Sequence, residues 1–462
     1  MPVAGWSKRA RARLFISVSF VLVIFLDVFP AFGSPSWSDK PLLVDRVWAG
    51  TRVGFDAVIG GTKAYVGYYD ADRYLTIAEV DLQSGDVKRK RIDSRYTGWD
   101  SHNYIALAYD SHGILHVSGN EHATPLVYAR MQAPGVVSSL QLEGGLVGTN
   151  EEMVTYPVFL QMQNGQLAFI YRDGGSGNGD YIVDSFDGKT WARLMSSPLF
   201  SSEDGRRSVN AYPTQFMRDK SGRFHVAWVW RASPDARTNF DVSYAWSRDL
   251  VHWFNANGKQ LALPIGPRSD AGVDIVPAGA GLFNNLRLGF DLGDRPVISF
   301  QRYDAQGFSQ IYHAVRRENG WRISPFTNWQ YRWNFGGTRS ILAEISFSGI
   351  QAEDRLLTET VHSTQYGAQL YTFDPETLDV RQVSVPVAVH RPVAFPKFSA
   401  PYGPNQLAVR GAPNDSGAGY TLVWGALPAD NRDSPRTCAA PSAAAACAFV
   451  SEIYLVRETG GR

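Results

Sequence analysis

The chain has 462 residues, 44% of them hydrophobic and 19% charged, with a formal net charge of +1. No basic or acidic block is present, which argues against nucleic acid as a partner and leaves a polyanionic ligand to be met by local positive charge. Aromatic residues make up 13%, with 13 Trp and 21 Tyr, a composition that favours strands and offers flat faces for stacking on sugar rings.

The first segment reads as a targeting sequence. Lys8, Arg9, Arg11 and Arg13 precede an apolar run from Leu14 to Leu26, and Ala31, Gly33 and Ser34 offer small residues for cleavage. The run is short for a membrane span and fits the core of a signal peptide; uncleaved, it would be an N-terminal anchor. Residues 1–33 are therefore set apart from the fold, and the mature protein is expected to be secreted or periplasmic, free of the membrane and monomeric.

From there the chain reads as short strands broken by turns rich in Gly, Asp and Asn, with almost no helical periodicity. The first hairpin is GFDAVIGGTKAYVGYYD (54–70), followed by the strands of DRYLTIAEVDLQSGDVKRKRI (72–92). HNYIALAYDSHGILHVSGNEH (102–122) turns at Asp110–Gly113, and YPVFLQMQNGQLAFIYR (156–172) turns at Asn164–Gly165. YPTQFMRDKSGRFHVAWVWR (212–231) turns at Asp219–Gly222, and NNLRLGFDLGDRPVISFQR (284–302) near Gly293. ILAEISFSGIQAEDRLLTETVH (341–362), QLYTFDPETLDVRQVSV (369–385) and FSAPYGPNQLAVRG (398–411) complete the series. Hairpins recurring every roughly 50 to 70 residues, each with two further strands, are the signature of propeller blades. The expectation is an all-β, seven-bladed β-propeller over residues 40–460, closed by SEIYLVRE (451–458) against the first blade so that no sheet edge stays open.

Several motifs read as architecture. SFDGKTW (185–191) and, more loosely, SRDLVHW (247–253) are Asp-box turns in which Asp187 and Asp249 cap the turn and the Trp packs between strands. His116 and His225 both follow a turn glycine by three residues, a mid-strand equivalence that points to packing. Trp228, Trp246 and Trp253 read as core. Cys438 and Cys447 lie in an Ala-rich stretch with no neighbouring His, so in an exported protein they read as a local disulfide.

The functional signal is positional. In a hairpin, the residue that opens the first strand and the one that ends the second share one end of the blade. His102 and His122 hold those places in one hairpin, Tyr156 and Arg172 in the next, Tyr212 and Arg231 in the third, and Asn285 and Arg302 in the fourth. A fold-maintaining role needs no such mixture of His, Tyr and Arg at one repeat-equivalent place. Those groups suit β-elimination at a uronic acid. A base takes the C5 proton, an acid protonates the leaving oxygen on C4, and a cation neutralises the carboxylate that otherwise keeps the C5 proton inert. The Gly-rich loop YRDGGSGNGDY around Arg172 lacks the features of a phosphate cradle, and its glycines would let it approach a sugar closely.

WDSHNYIALAYDSHGILHVSGNEH, VTYPVF and IYRDGGSGNGDYI together resemble the propeller-type ulvan lyases and their wider neuraminidase-repeat relatives, over most of residues 45–310. The resemblance implies a polysaccharide lyase acting on a uronate-containing, possibly sulfated polymer, with His102 as base, Tyr156 as acid and Arg172 as carboxylate neutraliser. It makes His122 a second imidazole of the site and Tyr212 a substrate contact; Arg231 and Arg302 are candidates to meet a substrate sulfate or carboxylate. No cofactor is required for this chemistry, although some relatives hold a structural metal ion whose ligands the sequence does not identify. Two other classes stay open. A sialidase-like hydrolase would share the Asp boxes, but the Tyr/Phe-Arg-Ile-Pro opening of that class is absent where this chain reads RVWAGTRVGFDA. A non-catalytic carbohydrate-binding propeller is the other. The C-terminal third carries no motif that matches this family.

Overall fold

The computed structural model describes residues 40–353, 355–385, 396–411, 419–437 and 448–457. The targeting segment 1–33, Cys438 and Cys447 lie outside the described residues. Within them the chain is all-β, its only helical pieces two short 3-10 turns at Val137–Ser139 and Ala236–Thr238. Among these residues no helix is long and apolar enough to cross a membrane.

The architecture is that of a β-propeller, built from antiparallel hairpins extended outward by further strands. Asp56–Gly60 pairs with Lys63–Tyr69, which leads to Tyr74–Asp81 and Val87–Arg95. Ile105–Tyr109 pairs with Leu115–Gly119, which leads to Tyr128–Met131 and Leu140–Leu142. One eleven-stranded sheet holds the next two hairpins, Val154–Gln161 with Leu167–Gly175 and Asn210–Pro213 with Phe224–Arg231, joined through a single parallel pair between Gly179 and Asn210. Arg287–Phe290 with Pro296–Tyr303, and Ile345–Phe347 with Leu356–Ser363, open the two sheets that follow.

The predicted hairpin turns at 110–113 and 219–222 hold because the Asp of each supplies a local cap. Asp110 Oδ1 accepts from the backbone N–H of His112 and Ile114, and Asp219 Oδ1 from that of Arg223. The two Asp boxes work likewise: Asp187 accepts from the Lys189 and Thr190 amides, Asp249 from those of Val251 and His252. Behind the turns, the mid-strand histidines are buried. His225 stands 2.5 Å from the Tyr244 hydroxyl and 3.1 Å from Asp219, and His116 stands 2.7 Å from the Tyr128 hydroxyl. Trp228 and Trp253 are fully buried, whereas Trp246 is half-buried and stacks on Phe254.

Two expectations change. The segment 398–411 is not a hairpin by itself: Gly403–Ala408 pairs with Tyr420–Ala426 across a longer connection. Closure also differs. Val450–Arg457 does not join the sheet of the first hairpin; it pairs with Tyr420–Ala426 on one side and with the N-terminal strand Leu42–Trp48 on the other. The N-terminal strand thus completes the last sheet from outside. The apolar pattern of LLVDRVW explains this, since Val44, Val47 and Trp48 are buried there.

The core lies as strips between successive sheets rather than at one centre. Tyr128 and Ala108 from one sheet meet Phe169, Tyr171 and Ile182 from the next, and Val229 and Tyr244 meet Leu288, Ile298 and Phe300. At about 25 cal/mol per Å² of apolar area, each strip supports its two sheets. It also fixes their relative tilt, and so the spacing of the side chains at their ends.

Candidate functional site

Register decides which residues meet. Thr155 pairs with Arg172, Asn210 with Arg231, and Ile105 with Gly119, so the segments flanking each hairpin's open end gather on one face, opposite the capped turns. There the structure brings together His102, His122, Tyr156, Arg172, Tyr212 and Arg231. The imidazoles of His102 and His122 stack with centroids 4.7 Å apart. Tyr156 meets His102 edge-on at 5.9 Å and Tyr212 at 6.3 Å. Arg172 lies 4.8 Å from the Tyr156 ring and Arg231 4.0 Å from the Tyr212 ring.

The local backbone is forced into this arrangement. Tyr156 has φ +60 at an irregular step in its strand between Thr155 and Val158, and Asn120 (φ +67) and Ala123 (φ +54) flank His122. Left-handed non-glycine residues are uncommon and cluster at functional sites, where surrounding contacts hold the strain. Thr155 supplies part of that hold: its hydroxyl accepts from the Ala123 amide at 2.8 Å and from Arg172 at 3.1 Å. His102 sits in a turn just ahead of Ile105–Tyr109, so a loop rather than a strand carries it.

Asp100 links the two imidazoles, and sequence reasoning missed it. Its Oδ1 accepts from the His102 amide at 2.8 Å and lies 2.5 Å from His102 Nδ1, while its Oδ2 contacts His122 Nδ1. Burial alone would push the Asp100 carboxyl up. The hydrogen bonds and charges of His102 and His122 outweigh burial and hold it well below the usual carboxylate range. The only available signal was the D-x-H spacing in WDSHNY, which also fits an ordinary Asx turn.

Tyr156 is half-buried. Burial first, then the neighbouring Tyr212, push its phenol up to about 12, against the lowering pull of Arg172 and Arg231. Arg172 is 1% exposed, and two of its nitrogens, Nε and Nη1, have no hydrogen-bond partner among the described residues. Burial works against its charge, but the phenols of Tyr156, Tyr212 and Tyr181 around it more than restore the preference for the cation. Arg231 is fully engaged, donating to Tyr212, Asn239 and Asn284 at 3.0, 2.7 and 2.7 Å.

Two expectations fare differently. Arg302 does not join the cluster; it pairs with Asp274 at 2.9 Å and stacks on Tyr312. Asn285, its hairpin partner, donates to Gln301. Two glycines of the Arg172 loop answer to the protein's own packing, while a Cβ at Gly175 would meet nothing within 4 Å. A Cβ at Gly179 would stand 2.8 Å from Arg172 Cδ, and one at Gly177 (φ +80) 2.5 Å from the Ser233 backbone. Gly179 thus gives Arg172 room to lie flat, and Gly177 lets the loop reach its neighbour.

Among the described residues, the one His/Asp grouping compact enough for a metal ion is Asp100, His102 and His122. Both Asp100 oxygens already meet imidazole nitrogens of the same cluster.

The model of a family described as BNR repeat-containing family member matches residues 63–329. "Ulvan lyase, short isoform" of Alteromonas sp. (strain LOR) is 30% identical over 127 residues, which is 25% of this chain and 24% of that protein; the match spans about a quarter of the curated relative. The crystal structure of polysaccharide lyase Uly1 shares the fold with a TM-score of 0.57 at 12% identity, covering 91% of this chain and 98% of that one. A PL25 ulvan lyase bound to -[GlcA(1-4)Rha3S]- gives 0.58 at 14% identity, covering 91% and 97%.

Proposed function

Because the chain belongs to the BNR repeat-containing family, whose model spans more than half of it, we propose that it is a polysaccharide lyase that cleaves a uronate-containing polymer by β-elimination. The observation that carries this reading is the unbroken run of contacts from His102 through Tyr156 to Arg172, gathered at one end of adjacent hairpins. The names of the relatives, ulvan lyases, support a sulfated uronate polymer as substrate class.

In this reading His102 presents its Nε2 to the sugar and takes the C5 proton. The electron pair left behind forms the C4–C5 double bond and expels the C4 oxygen, which receives the phenol proton of Tyr156. A phenol held near 12 is protonated throughout the neutral range and so is ready to act as the acid. Arg172 neutralises the uronate carboxylate: Nε and Nη1 have no partner among the described residues, and since both are buried here the side chain or the Tyr156 ring beside it shifts when the sugar binds. Its cation also faces the Tyr156 ring and eases charge development on that oxygen. His122 and Tyr212 line the same site, with Arg231 fixing Tyr212. No step uses a metal.

For the whole molecule we propose seven blades, counting the eleven-stranded sheet as two units and the termini as one, in an exported monomer. The test is to incubate the purified mature protein with a panel of uronate polysaccharides, ulvan first, and follow the ultraviolet absorbance of an unsaturated uronate end. A rise on any polymer supports the lyase. New reducing ends without absorbance would replace it with a hydrolase, and an intact polymer across the panel with a binding propeller.

A further inference from the structure

We propose that Asp100 is the positioning residue of the site: by accepting an N–H from both His102 and His122, it fixes the tautomer and the direction of both rings. An ionised carboxylate can only accept, so each ring that meets it through Nδ1 must carry its proton there. The neutral imidazoles are then left with their lone pairs on Nε2, on the side away from Asp100 and toward the open face. Stacking at 4.7 Å keeps the two Nε2 atoms side by side. Asp100 does not touch the sugar; it decides which nitrogen of His102 is the base.

The main chain that carries the carboxylate is itself clamped. The Asp100 carbonyl accepts from the Tyr96 hydroxyl at 2.9 Å and from Asn103 Nδ2 at 3.2 Å. The preceding carbonyl, of Trp99, accepts from Asn431 Nδ2 at 3.0 Å. Asn431 is fixed in turn, accepting from the Thr51 hydroxyl at 2.9 Å and donating to the Ser434 carbonyl at 2.9 Å. The C-terminal third, which matched no motif in the sequence, thereby reaches the site. Asn431 holds the turn that holds Asp100, which holds the two rings.

The kinetic part of the test rests on the lyase reading; the spectroscopic part does not. In the full mature protein labelled with ¹⁵N-histidine, long-range proton–nitrogen spectra at slightly alkaline pH are assigned with the His102→Ala and His122→Ala variants. Both rings are expected to carry hydrogen on Nδ1 and none on Nε2. In Asp100→Asn that preference should be lost, with kcat down about 100-fold, KM within a few-fold and melting close to wild type. Asp100→Glu should recover part of the rate, and Asn431→Ala should shift the same ring resonances with a smaller loss of kcat. Wild-type rings protonated on Nε2 would overturn the proposal even if Asp100→Asn failed to fold. So would an Asp100→Asn protein with unchanged tautomers and full kcat. If the wild type cleaves no polymer, the lyase reading fails, while the spectra still decide the role of Asp100.

Discussion

Replacing Tyr156 by Phe removes one proton donor and little else. Among the described residues the Tyr156 hydroxyl has no hydrogen-bond partner, and the ring contacts with His102, Tyr212 and Arg172 need only the aromatic face. The cost in stability should stay within about 0.5 kcal/mol, as for a substitution that breaks no buried bond. The cost in rate should be large. A positioned general acid contributes about 10²- to 10⁴-fold, equal to about 3–5 kcal/mol of barrier. Because the phenol is held near 12, wild-type activity should show no alkaline loss from Tyr156 until well above neutrality. The assay is the initial rate of unsaturated uronate formation for wild type and Tyr156→Phe at saturating polymer, beside thermal melts of both. A Tyr156→Phe protein that melts normally and keeps more than about a tenth of wild-type kcat would remove Tyr156 from the acid role.

Three further expectations follow from buried charge. Glu121 is fully buried beside His122; burial pushes its carboxyl up to about 8, only partly offset by the Val127 amide and the Ser118 hydroxyl. The folded protein then binds more protons than the unfolded chain between about 4.5 and about 8, so stability should fall by a few kcal/mol as pH rises through that window. Glu121→Gln should flatten the dependence of melting temperature on pH there; an unchanged slope would refute the assignment. His225→Ala strips a buried partner from both Asp219 and Tyr244 and should cost about 3 kcal/mol in denaturant unfolding, with kcat per folded molecule unchanged because His225 sits near the capped turn, away from the cluster. Arg302→Ala frees Asp274 but touches no member of the cluster, so KM and kcat should move less than about twofold; a KM increase of tenfold would return Arg302 to the substrate path.

The repeat was legible because a hairpin writes its turn into the sequence. D-x-x-G at 110–113 and 219–222 is a local device, and so were the Asp boxes. The clustering of His102, Tyr156 and Arg172 was legible for a related reason: strand length and turn position fix which ends share a face. What escaped was set by contacts distant in sequence. Asp100 looks like a turn residue, and its partnership with His122 arises only when two strand ends meet. Arg302 occupies the repeat-equivalent place of Arg172 and Arg231, yet Asp274, on the short strand Gly272–Asp274, captures it. Leu42–Trp48 has an evident strand pattern, but nothing local says that its partner is the last strand of the chain.

That last pairing sets the order in which the molecule can be finished. Val47 lies against Ser451 and Trp48 against Val450, so Leu42–Trp48 gains its strand partner only when Val450–Arg457 arrives, whatever side-chain contacts it already makes with the first hairpin. Loop-closure entropy makes such distant pairings slow, and hairpins already formed must wait with apolar strips uncovered at the two ends of an open arc. The step that shuts the arc should therefore come late in folding and seal the last inter-sheet core. Conditions that slow it, rather than those that weaken any one hairpin, should govern how much of this protein reaches its native state without aggregating.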